Sequence, residues 1–153
     1  MKILIFHTIG QLKRQLMQTR VFLSGAIEDV QSDFKYSWRD EATALLDHRG
    51  FKAVNPMDYA LEEEDSEPKE IVDKNLFLQK SCDIILVEYR LLYRAYIGTD
   101  FEMTWAHFNN QPIIVWAHQD LQHRKYLKFL ATKLADTLEE AVEYISNTYP
   151  SNK

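Results

Sequence analysis

The chain has 153 residues, 46% of them hydrophobic and 27% charged, enough apolar side chain to fill one core and too little length for a second, so a single domain over 1–153 is expected. Eighteen Lys and Arg against 23 Asp and Glu leave a net charge of -5, which excludes the basic surface that a nucleic-acid duplex partner requires. The lone Cys82 forbids an internal disulfide and suits a reducing compartment, while apolar runs of about five residues fall far short of the roughly 20 that a membrane helix needs, so a soluble cytoplasmic protein is expected.

Residues 1–19 carry Lys2, Lys13, Arg14 and Arg20 just beyond, with no acid among them. That composition has something of an organelle transit peptide, but Lys2 to His7 (KILIFH) reads better as an extra edge strand on an N-terminal extension. Arg20 to Ser24 (RVFLS) is a β-rich run ending at Gly25, and a loop follows through Asp33. From Phe34 to Arg49, Trp38, Ala42, Leu45 and Leu46 recur at helical spacing, with Gly50 where a C-terminal cap belongs. Phe51 to Val54 reads as a strand broken by Asn55-Pro56, after which an acidic stretch, Glu62 to Glu67, leads to a helix opened by Pro68 and running to about Lys80.

Asp83 to Glu88 (DIILVE) has the wholly apolar centre of a strand covered on both sides, Gly98 to Asn109 is helical, and Pro112 to Trp116 (PIIVW) is another such strand. Asp136 with Glu139 three residues on reads as the cap of a last helix carrying Ala141, Val142, Tyr144 and Ile145. Alternating strands and helices predict an α/β fold in three layers, a doubly wound, mostly parallel sheet of about five strands, flavodoxin-like or Rossmann-like.

Such sheets bind ligands beyond the C-terminal strand ends, where the strand order reverses. Two segments lead there: Phe22-Leu23-Ser24-Gly25-Ala26-Ile27, where a strand ends in a glycine, and Gly98-Thr99-Asp100-Phe101-Glu102, where a loop enters a helix. In the first turn of that helix the backbone N–H groups and macrodipole are expected to favour an ionised Glu102. The same spacing also makes Thr99 and Glu102 a capping box, in which the glutamate merely satisfies the backbone. Cys82 reads as an inert buried thiol, Asp83 as a partner for nearby backbone N–H groups, and Trp105 and Phe108 as core. Five scattered histidines show no metal-ligand spacing, no glycine-rich phosphate loop occurs, and no cofactor or metal is expected.

Taken in order, VFLSGAI, Trp38-Arg39, GFKAVNP, DKNLFLQKSCDIILVEY and GTDFEMTWAHFNNQPIIVW resemble the nucleoside 2-deoxyribosyltransferase family over about residues 20–147. The resemblance implies a nucleoside or nucleotide substrate and a glutamate, here Glu102, that attacks the anomeric carbon of an N-glycosidic bond. It implies Phe22 where the family commonly has a tyrosine that holds the glutamate, Asn75 where it has a base-contacting aspartate, with Asp73 as a displaced substitute, and Tyr96 where the nucleotide-hydrolysing branch has a phosphate-binding serine. Ser24, Gly25, Ala26, Ile27, Trp38, Asn55, Gly98 and Thr99 are the remaining candidate substrate contacts, and Arg39, Arg90 and Arg94 candidate charges, each arginine otherwise reading as a surface residue. The resemblance further implies a homo-oligomer, a dimer or larger, whose neighbouring subunit completes the pocket. Three activities stay open: base exchange on a deoxynucleoside, hydrolysis of a deoxynucleoside 5′-monophosphate, and nucleotide binding with weak catalysis.

Overall fold

The computed structural model describes residues 17–28, 30–59 and 66–152. The strand expected over Lys2 to His7 lies outside them. Five strands, β1 (Arg20–Ser24), β2 (Lys52–Val54), β3 (Ile84–Tyr89), β4 (Ile113–Ala117) and β5 (Lys133–Ala135), form one sheet in the order β2-β1-β3-β4-β5, every neighbouring pair parallel. Among the described residues the α-helices that accompany them include α1 (Ser32–His48), α2 (Pro68–Lys80), α3 (Ile97–Phe108), the short α4 (Lys125–Leu130) and α5 (Leu138–Thr148). The arrangement is a three-layer, flavodoxin-like α/β sandwich.

Alternation along the strands divides the core. Val21, Leu23, Ile84, Leu86 and Ile114 pack with Trp38, Ala42 and Leu46 of α1 and with Ala141, Val142 and Ile145 of α5. Their strand neighbours Phe22, Ile85, Val87, Ile113 and Val115 pack with Leu78 of α2, Met103 and Ala106 of α3 and Leu127 of α4. Both faces are covered, which is why the central strands read as unbroken apolar runs.

The expected elements are found with ends shifted by a residue or two, and two differences have physical causes. Lys133–Ala135 was not expected as a strand, because three residues with a lysine among them carry no apolar run; its pairing with Ile114 to Trp116 makes it one. Helix α5 is capped by Thr137, not Asp136: the Thr137 hydroxyl accepts from the Glu140 N–H at 3.1 Å, while the Glu140 carboxylate accepts from the Asp136 N–H, one residue before the cap, at 2.8 Å, so the cap stands one residue further on than expected and without the reciprocal bond of a box. Gly50 occupies a left-handed turn at φ 81°, as a helix-ending glycine should. The Asp83 carboxylate accepts from the Arg20 N–H at 2.8 Å, serving the backbone where β1 and β3 begin.

The far end of the sheet is clasped. Thr19 donates its N–H to Ser151 at 2.8 Å and its hydroxyl to the Pro150 carbonyl at 2.6 Å, and Gln18 bridges antiparallel to Asn152.

Candidate active site

From β1 the chain moves to β2 on one side and to β3, β4 and β5 on the other, so the order reverses between β1 and β3. At their C-terminal ends stand Ser24-Gly25 and Glu88-Tyr89, and α3, which follows β3, carries Glu102 back over this point. Ser24 shares a strand face with Phe22, the face toward α3, and its hydroxyl donates to Glu102 Oε2. Gln79 of α2, fully buried, donates from Nε2 to the Glu102 backbone carbonyl at 2.9 Å and to Gln111 Oε1 at 3.1 Å; Gln111 in turn donates to the Cys82 carbonyl at 2.9 Å. These amides tie α3 to α2 and to the turn before β4.

The setting of Glu102 differs from the expectation for a first-turn carboxylate. The helix begins one residue after Tyr96, so Glu102 lies in its second turn, and its side chain meets Ser24 instead of the Thr99 N–H: no capping box forms. Burial raises its carboxyl to about 7, against the opposing pull of the Ser24 hydrogen bond and the Arg39 cation. It is therefore a group near half-ionisation at neutral pH, able to act as nucleophile or to hold a proton.

Arg39 is completely buried, contrary to its reading as a surface residue. It donates to the Gly25 carbonyl at 3.0 Å and to the Lys35 carbonyl at 2.6 Å, and its charge bears on both Glu88 and Glu102. Desolvation pushes its guanidinium down to about 10, partly offset by those two carboxylates. Glu88, also fully buried, lies on the α1 side, where it accepts from the Arg90 N–H at 2.8 Å, from Arg90 Nε at 3.2 Å and from the Tyr96 hydroxyl at 3.2 Å. The Arg90 guanidinium is stacked between Phe34 and Trp116, 4.8 and 3.9 Å from their ring centres. The burial of Glu88 and Arg39 had no signal in the sequence, since a charged residue at a strand end or within a helix reads as exposed.

The structure brings together Ser24, Gly25 and Glu102. Asn75 stands four residues before Gln79, on the same face of α2, and its Oδ1 is buried with no hydrogen-bond partner. Asp73 does not share that place: it is exposed and pairs with Lys69 at 2.5 Å across one turn, so it cannot stand in for Asn75.

Other sequence candidates serve the fold. Phe22 and Trp38 are enclosed in the core, leaving no surface for a ligand. The Tyr96 hydroxyl accepts from the Arg90 and Leu91 N–H groups at 3.1 and 2.9 Å and donates to Glu88, so it has no capacity left for a phosphate. Asn55 is buried in the turn after β2, accepting from the Met57 N–H at 3.0 Å. Thr99 is buried, Gly98 has open space around its Cα, and Ala26 is buried beside the half-buried Ile27. Phe108, expected in the core, is 79% exposed, whereas Trp105 is half-buried. A cavity of about 480 Å³ lies between the loops that follow β1 and β3, lined by Val30, Gln31, Phe34, Leu91, Leu92, Tyr93 and Arg94. Glu102 does not line it. Among the described residues no three His, Cys, Asp or Glu side chains converge as a metal site would require.

Neither a protein-family model nor a curated protein sequence matches the chain. Solved structures do. The 2-deoxyribosyltransferase of Bacillus psychrosaccharolyticus superposes with a TM-score of 0.70 at 14% identity, covering 88% of this chain and 98% of its own. A Leishmania mexicana 2-deoxyribosyltransferase gives 0.68 at 15% identity over 86% of this chain and 99% of its own. The CMP N-glycosidase of Clostridium botulinum gives 0.58 at 14% identity over 86% of this chain and its own full length. The fold is thus nucleoside 2-deoxyribosyltransferase-like. Among the described residues no helix is long and apolar enough to cross a membrane.

Proposed function

We propose that the protein binds a nucleoside or nucleotide and cleaves or exchanges its N-glycosidic bond, with Glu102 as nucleophile. The observation that carries this reading is the Ser24–Glu102 contact at the point of strand reversal, on a fold whose solved examples include enzymes named for deoxyribosyl transfer and CMP N-glycoside cleavage. Ionised Glu102 attacks the anomeric carbon as the carbon–nitrogen bond breaks, and the base leaves with the bonding pair and takes up a proton from water. An N–H nitrogen of a second base, or water, then displaces the carboxylate, gives its proton to the hydroxide left behind, and restores Glu102. Ser24 does what the expected tyrosine would have done from Phe22: two residues on along the same strand face, it supplies a hydroxyl to the glutamate. Asn75 offers an unpaired acceptor and an amide donor to a base edge, but no acid proton for the leaving group.

That last point favours a second reading, a nucleotide-binding module with weak turnover. Incubation with nucleosides and their 5′-monophosphates, with and without a free acceptor base, separates the cases by chromatography. Free base without acceptor means hydrolysis, a new nucleoside only with acceptor means transfer, and retained binding with no change means the module. Replacement Asn75→Asp is expected to raise turnover at least tenfold by restoring a group that can share a proton with the base; an unchanged rate removes Asn75 from the site. The neighbouring-subunit arrangement is part of the same proposal, the exposed side of α3 being its contact surface.

A further inference from the structure

A second cavity, of about 450 Å³, opens beneath α4 and is independent of the reading of Glu102. Its walls are Tyr89 at the end of β3, Asp100, Met103 and Thr104 of α3, and Arg124 to Leu127 with Leu130 around α4. Asp100, Met103 and Thr104 form one stripe of α3, and Glu102 points from roughly the opposite side of the same helix, so the two sites do not merge. We propose that this cavity is a second ligand site, for a small organic anion with an aromatic or apolar body.

The volume falls within the roughly 300–1,000 Å³ usual for small-molecule pockets. Met103, Leu127 and Leu130 supply an apolar floor, and the exposed Tyr126 ring a movable wall. The charge is unbalanced. Burial raises the Asp100 carboxyl above its ordinary value, against the pull of the Tyr89 hydroxyl at 3.0 Å and of the Arg124 cation, so the one acid on these walls is a weak counter-charge, and Lys125 has no hydrogen bond or ion pair among the described residues. One carboxylate therefore faces two cations, and an anionic head satisfies the second. A hydrophobic side chain of another protein molecule would instead bury those cations without a partner, at a desolvation cost. Tyr89 stacks on Tyr96 at 4.2 Å, and Tyr96 holds Glu88, so occupancy of this cavity has a packed route to the strand ends.

The test is protein-observed NMR titration with 1-naphthyl phosphate, 1-naphthol and inorganic phosphate, on the intact chain and on the double variant Arg124→Gln/Lys125→Gln, both changes lying at exposed positions. The expected result is saturable binding of 1-naphthyl phosphate at least tenfold tighter than of either part alone. Amide shifts should centre on Asp100, Thr104, Arg124 and Leu127, and the double variant should lose that advantage with an unaltered melting temperature. The proposal is overturned by equal affinity for 1-naphthol, by shifts centred on Ser24 and Glu102, by an unaffected double variant, or by affinity that falls with self-association, which would make the cavity part of a contact between copies.

Discussion

At Glu102, burial works against the charge while Ser24 and Arg39 work for it, and the balance leaves the carboxyl at about 7. If the ionised form is the nucleophile, kcat/KM must rise with pH to a plateau above that value. Ser24→Ala removes a hydrogen bond that favours the charged form, so the rising limb of the pH–rate profile should move to higher pH; a shift to lower pH would contradict the assignment. The same group makes stability depend on pH, in the opposite direction. Its folded value lies above the ordinary carboxyl value of 4.5, so the folded state binds the proton more tightly; its contribution is fully present below 4.5 and is lost as pH rises through about 7. Glu102→Gln should therefore abolish turnover yet stabilise the protein at pH 8, by up to about 3 kcal/mol, with little change at pH 4.5. Urea unfolding at the two pH values checks this, and a variant destabilised at pH 8 would show that the carboxylate is a structural anchor.

The elements owe their places to signals of unequal strength. Ile84 to Val87 and Ile113 to Val115 are buried on both sides and could hardly be read otherwise, and Pro68 and Gly50 punctuate α2 and α1 where a proline and a glycine should. Lys133–Ala135 became a strand only because β4 was there to pair with it. The site was legible in part. Glu102, Ser24 and Gly25 stood out because loop and strand ends converge at a strand reversal, but which hydroxyl would meet the glutamate depended on strand register, which no local pattern carries. Buried Arg39 and Glu88 were illegible for a related reason: each is tolerable inside only because particular groups meet it there, the Lys35 and Gly25 carbonyls for Arg39 and the Arg90 and Tyr96 donors for Glu88, and no local pattern announces those meetings. Gly25 shows how tightly those partners close around the turn, for a Cβ there would stand 2.8 Å from the Trp38 ring and 3.1 Å from Glu88 Cβ. Gly25→Ala should cost about 1–3 kcal/mol and lower the melting temperature, whereas Gly98→Ala, with open space around it, should not.

Over the whole molecule, the two sides of the sheet are finished differently. Helix α5 packs with α1 on one side and cannot cover α3 on the other, where Phe108 is 79% and Phe129 67% exposed, both against the His107 ring, and Ile97 and Phe101 of the same helix are exposed as well. Large apolar side chains exposed together in this way normally meet a partner. Light scattering at micromolar concentration should report a dimer or larger assembly, and Phe108→Glu/Phe129→Glu should reduce it to monomer; a wild-type monomer with full activity would disprove both the assembly and a shared site. At the opposite end, the clasp between residues 18–19 and 150–152 joins the entry of β1 to the exit of α5. The final helix cannot peel away without releasing the Thr19 amide, so amide hydrogen exchange at Thr19 and at Tyr149, which donates to the Ile145 carbonyl, should follow a single opening event and share one free energy of protection.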